Sequence, residues 1–123
     1  MSSVLDVHVA TLNLGAFSGA TEFPFVYIPS TGGGITVLSA HLSGTAAGTA
    51  IGGKLVKMSD LGTPAISGTI GTFAGTCVTA AGVVFAATIS TAYVAGGSWI
   101  GYDQTSGTVP DGSFLTLSYI MGK

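Results

Sequence analysis

The chain has 123 residues, one domain by length, and only 7% of them are charged, against about 25% in average soluble domains. The net charge is −2, arginine is absent, and the mean hydropathy is +0.68. This composition excludes intrinsic disorder, which goes with few apolar residues and high net charge, and it excludes a nucleic-acid-binding face, which needs several Lys or Arg together.

Helix formers are scarce, and the 20 glycines would weaken helix interiors. Short β-branched and aromatic runs between Gly, Pro, Ser and Asp predict strands instead. Residues 4–14 read as an extended arm or a first strand. Strands are predicted over 23–28, between Glu22 and Pro29, and over 35–42, after Gly32-Gly33-Gly34. The next spans 51–58 and ends before the turn Ser59-Asp60-Leu61-Gly62-Thr63-Pro64. Strands over 66–73, 77–79, 83–91 and 98–102 follow, and a polar loop is expected over 102–112. A last strand over 113–121 comes after the hairpin-type pair Asp111-Gly112.

Alternation assigns the faces. Leu115, Leu117, Tyr119 and Met121 share one side of the last strand, and Thr36, Leu38, Ala40 and Leu42 share one side of 35–42. Both sides are expected to face the core. Lys54 and Lys57 are expected to be solvated on a strand edge, where lysines discourage unwanted pairing. The expected fold is all-β, a single-domain, jelly-roll-like β-sandwich. Residues 1–20 form its N-terminal arm or first strand, and residues 21–123 form its body. Residues 61–102 carry no charge. The middle strands should therefore supply the core and the packed contacts, with the charged turns left in water.

The inventory for chemistry is thin. His8 and His41 are the only imidazoles. His41 could serve as a base to Ser39 or Ser43, two residues away on the same strand face, but no carboxylate is close in sequence to orient it. A structural or interface histidine is the expectation, and no catalytic residue is assigned. The chain is read as not an enzyme. Two histidines, one cysteine and scattered carboxylates give no zinc spacing, and Asp103 and Asp111 lack the alternating ligands of a calcium loop. No metal, cofactor or small-molecule substrate is expected. Cys77 is the single cysteine, expected to be a buried inert thiol. Gly32-Gly33-Gly34 lacks the lysine and the strand-to-helix setting of a phosphate loop. Residues 77–95 are uncharged and long enough to cross a bilayer, but they are interrupted by Thr, Ser and Gly and have no basic flank, so no membrane span is expected. No basic segment followed by an apolar run and a cleavage site marks a signal peptide.

Three segments carry a resemblance: Val4-Leu5-Asp6-Val7-His8-Val9-Ala10, Ala95-Gly96-Gly97-Ser98-Trp99-Ile100-Gly101-Tyr102, and Phe114-Leu115-Thr116-Leu117-Ser118-Tyr119. With the Gly/Thr/Ala-rich body between them, they resemble the small head decoration (cement) proteins of bacteriophages. The resemblance lies in texture over the whole chain. It implies a structural virion protein, made in the host cytoplasm and placed on the capsid surface. Such a protein binds the major capsid protein and copies of itself, expected as a homotrimer, and stabilises the shell. The expected assembly surface is Val4, Leu5, Val7, Val9, Leu12, Leu14, Phe17, Trp99 and Tyr102. A phage tail or fibre component shares this composition. A carbohydrate-binding module using Trp99 and Tyr102 as a sugar platform is a further alternative, as is a hydrolase using His41 and Ser43.

Overall fold

The structure is a computed structural model that describes residues 6–14, 17–18, 21–44, 46–59, 65–79, 82–109 and 113–122. Its strands are β1 (His8–Asn13), β2 (Phe17–Ser18), β3 (Thr21–Ile28), β4 (Ile35–Ser43), β5 (Gly48–Ile51), β6 (Lys54–Ser59) and β7 (Ile66–Thr72). They continue as β8 (Thr76–Thr79), β9 (Val84–Ala86), β10 (Thr88–Ile89), β11 (Tyr93–Val94), β12 (Ser98–Gln104), β13 (Ser106–Val109) and β14 (Phe114–Met121). The protein is all-β, and no helix occurs among the described residues. None is therefore long and apolar enough to cross a membrane.

The strands lie in three antiparallel sheets. The first runs β1-β14-β4-β11, with β9 also on β4; the second runs β10-β7-β6-β12-β3; the third runs β2-β13-β5-β8. The third repeats the order of the second, because β2 leads into β3, β5 into β6, β7 into β8 and β12 into β13. The two are one set of chain stretches bent at a corner. Hydrogen bonds carry the pairing round it: Gly52 N to Gly75 O (3.0 Å), Phe73 N to Gly53 O (3.0 Å) and Thr105 N to Ile51 O (3.0 Å). Gly52 makes the corner sterically possible. Its φ is +70°, and a Cβ there would lie 2.4 Å from Thr105 Oγ1. The residues between β9 and β11 link the first sheet to the second: Ala87 N donates to Ala40 O (2.9 Å), and Ser90 N donates to Ile70 O (2.8 Å). The result is a set of strongly curled sheets around one apolar cluster, in which Leu42, Leu55, Ile70, Phe73, Ile100, Tyr102, Leu115 and Leu117 are fully enclosed.

Several sequence expectations change. The strand predicted over 51–58 is two strands, because the Gly52-Gly53 corner divides it. The loop predicted over 102–112 is strand as far as Val109, apart from Thr105; its backbone pairs with β5, and pairing outweighs the weak strand preference of Ser106-Gly107. The core face of 35–42 changes side part-way. Opposite Ser118 and Tyr119, β4 has one extra residue, a β-bulge that shifts the alternation. Ile35 and Val37 point inward before it, Ala40 and Leu42 after it, and Leu38 is left exposed. Met121, also expected inside, is exposed at the strand end.

Lys54 and Lys57 are not on an edge. They lie on β6, between β7 and β12, and both are half-buried. Lys54 faces Asp103 across the ladder, an opposite-charge pairing. The Lys57 side chain lies over Gly68, where a Cβ would be 3.1 Å from its Cε. The core is not concentrated in the charge-free middle of the chain either. Ile70, Phe73, Cys77, Val94, Ile100 and Tyr102 come from it, but β4 and β14 supply as much, while Val83 and Val84 are exposed.

Candidate functional site

The first sheet has a property that the linear sequence hides. None of its strands, β1, β14, β4, β11 and β9, contains Asp, Glu, Lys or Arg, and neither do β2, β13, β5 and β8 of the third sheet. In the described strands the charged side chains belong to the second sheet: Glu22 on β3, Lys54 and Lys57 on β6, Asp103 on β12. The inner side of the first sheet is core, formed by Ala10, Leu12, Leu115, Leu117, Ala40, Leu42 and Phe85. The register puts Val9, Thr11, Phe114, Thr116, Ser118, Ser39, His41, Ser43 and Val84 on its other side.

A cleft of about 530 Å³ opens on that outer side, within the size range of small ligand sites. It is lined by His41, Ser43, Gly44, Gly82, Val84, Phe114 and Thr116. Three strands build it. His41 and Ser43 come from β4, Phe114 and Thr116 stand opposite them on β14, and Val84 faces Ser43 from β9. Gly82 N donates to Gly44 O (3.3 Å) and joins the two glycine ends of the cleft. The lining is mostly apolar and, among the described residues, carries no carboxylate.

The arrangement gives His41 little to work with. Ser39, one of its two candidate nucleophiles, shares a hydrogen bond with Ser118 across the β4–β14 ladder. Asp103 lies on β12 in the second sheet, and Asp60 is outside the described residues. Ser43 shares the cleft with His41, but no described residue completes a triad there. His8 stacks on Tyr119, with ring centroids 5.4 Å apart and planes 21° apart. Among the described residues no three His, Cys, Asp or Glu side chains group so as to hold a metal ion.

The residues expected at the assembly surface divide. Val7 and Val9 are exposed, at 57% and 64%. Leu12 is half-buried against the core, and Leu14 belongs to the core. Val4 and Leu5 lie outside the described residues, and the backbone of Phe17 pairs with Val109. Trp99 is half-buried and meets Tyr27, with ring centroids 5.1 Å apart and planes 56° apart. Tyr102 is wholly buried against Phe73 and donates to Gln104 Oε1 (2.8 Å). It is a core residue and presents no ring to a partner, so a Trp99–Tyr102 platform does not form. Sequence alternation along β12 already puts Trp99 and Tyr102 on opposite faces; Tyr27, the actual neighbour of Trp99, follows only from the β3–β12 register.

Burial sets the chemistry of the remaining groups. Cys77 is buried, and desolvation pushes its thiol pKa up, outweighing the bond from Sγ to Ala74 O (3.4 Å). A thiol held protonated is a poor nucleophile. Burial likewise raises the Tyr102 phenol, with smaller contributions from Cys77 and Asp103. The triple glycine is a pinned connection: Tyr93 donates its hydroxyl to Gly33 O (2.8 Å), and Gly122 N donates to Gly34 O (2.8 Å).

No protein-family model matches this chain, and neither a curated protein nor a solved structure matches it.

Proposed function

We propose that the chain is a structural protein of a phage head, which decorates and stabilises the shell by binding the major capsid protein. On this reading the curled sheets pack as a jelly-roll-like sandwich, and the outer side of the first sheet is the surface laid against the shell. The observation that carries the reading is the distribution of charge. An entire sheet without an ionisable acid, lysine or arginine exposes Val9 and Val84 at 64% and 58%. Interface cores are depleted in charge in the same way. A small-grained surface of Ser, Thr, Val and Ala allows close approach, and apolar burial supplies about 25 cal/mol per Å² before the costs of association.

Removing the first fifteen residues would be a poor test, because β1 and Leu14 belong to the fold. A charge on the outer face is a better one. Val84→Asp leaves the core untouched, and surface changes of this kind usually alter stability by less than about 0.5 kcal/mol. Its binding to purified, undecorated shells is expected to fall at least about tenfold, the equivalent of 1.4 kcal/mol. Unchanged co-sedimentation with the shells would remove this face from the interface.

A further inference from the structure

Among the described residues the first sheet ends on β1, and the backbone of that strand is half used. Antiparallel pairing satisfies alternate residues on each side. The bond from Leu14 N to Ser113 O (2.8 Å) sets the phase, so His8, Ala10 and Leu12 bond to β14, while the N–H and C=O groups of Val9 and Thr11 point away from the sheet. An open strand edge of this kind is a template for another strand, and proteins normally blunt it.

The other sheet ends among the described residues are blunted or short. β3 carries Pro24 and Glu22, β2, β10 and β11 have two residues each, β9 has three, and β8 has four. Proline and charge are the usual edge devices, and very short edges template little. β1 has six residues, His-Val-Ala-Thr-Leu-Asn, with no proline and no Asp, Glu, Lys or Arg.

We propose that β1 pairs antiparallel with β1 of a second copy, across a two-fold axis at Ala10, joining two first sheets edge to edge. The inference rests on the proposed assembly role and names a partner for the open edge of the proposed surface. Only one parity of register is allowed, because Val9 and Thr11 must occupy the hydrogen-bonded positions. With the axis at Ala10, Val9 meets Thr11 of the second copy, and each pair exchanges both bonds. His8 then faces Leu12, and Asp6 faces Leu14. No like charges meet, so the strand is complementary to itself, as an isologous two-fold contact requires. The contact also continues the uncharged outer face from one copy to the next, with exposed Val9 of each copy beside the seam.

Solution mass of the full chain, read by light scattering or sedimentation equilibrium, tests the pairing with two variants. Thr11→Pro removes the outward N–H without breaking a bond to β14, since that N–H points away from the sheet. Thr11→Ala changes the side chain and keeps the N–H. The expected result is a two-chain species for the wild type and for Thr11→Ala, with the dissociation constant raised at least tenfold in Thr11→Pro. Hydrogen exchange on the wild type needs no variant: the Val9 and Thr11 amides should be protected at high concentration and exchange rapidly on dilution. A monomeric wild type, or a dimer in which those amides exchange fast at every concentration, would overturn the pairing. A trimer that Thr11→Pro leaves intact would also overturn it while leaving the shell-binding reading standing. Loss of shell binding by Val84→Asp is read separately, so the two ideas fail by different measurements.

Discussion

Gly107→Ala is expected to prevent stable folding. Gly107 lies in the middle of β13 with φ +110°, directly across from β5, and a Cβ built on it would sit 2.0 Å from Thr49 O and 2.9 Å from Thr49 C. Both obstacles are backbone, so no side-chain rotation relieves them. The conformation adds its own cost, since this region of φ is close to glycine-only and strained residues of this kind cost about 1–3 kcal/mol each. Relief requires β13 to separate from β5, which would give up the sheet beyond the corner and the burial of Ala50 and Val109. The sum is about 4 kcal/mol or more, at the exceptional end for a single substitution and a large part of a domain's total stability. Gly75→Ala is the matched control, because no atom of the described residues lies within 4 Å of a Cβ there and its φ is not positive. Urea titration followed by circular dichroism would compare them. Equal midpoints for the two variants would contradict the β13–β5 geometry.

Leu117→Ala is expected to cost about 3–5 kcal/mol, in the upper half of the range for Leu→Ala in a core. Leu117 is 0% exposed, and its neighbours across the ladder are Ala10 on β1 and Ala40 on β4. Two alanines cannot move in to fill the space that Leu117 would leave, so the cavity should persist. The melting temperature should fall by roughly 10 °C or more for a domain of this length. The contrast is with Val84→Ala, an exposed apolar residue on the same sheet, which should shift it by no more than a degree or two. Calorimetry on both variants checks which side of the sheet is the core. A loss at Val84 as large as that at Leu117 would mean the faces are reversed.

The strands were largely legible from the chain because β-branched and aromatic runs alternate with Gly, Pro and Asp. His8–Asn13, Thr21–Ile28, Ile66–Thr72 and Phe114–Met121 all fall where the pattern puts a strand. The departures have physical causes that a pattern of period two cannot hold. An extra residue in β4 moves Leu38 out and Val37 in, and nothing local to 35–42 announces it. β13 is a strand because it pairs with β5 and β2, neither of which is close to it in sequence. The two-residue strands β2 and β11 are too short for any periodicity.

The burial of the residues expected at the candidate surface was not legible in the sequence. Val7 and Val9 were expected at an interface and are exposed; Leu14 and Tyr102 were expected there and are core. An apolar residue reads the same in either place, and only packing decides. The shortage of charge was visible at once, but its meaning changed. In sequence it looks like a property of residues 61–102. In the fold it is a property of the first and third sheets, assembled from both ends and the middle of the chain, while the charges of the described strands all lie on the second. His41 and Phe114 are 73 positions apart in the sequence and line the same cleft, a juxtaposition that only the β4–β14 register creates.

The most direct test of the assembly role is the mass and stoichiometry of the particle from which the native chain is recovered, measured by native mass spectrometry together with protein composition. The chain is expected to travel with a capsid shell, in fixed proportion to the major capsid protein. Recovery of the chain as a free monomer, with no shell protein in any fraction that contains it, would contradict it.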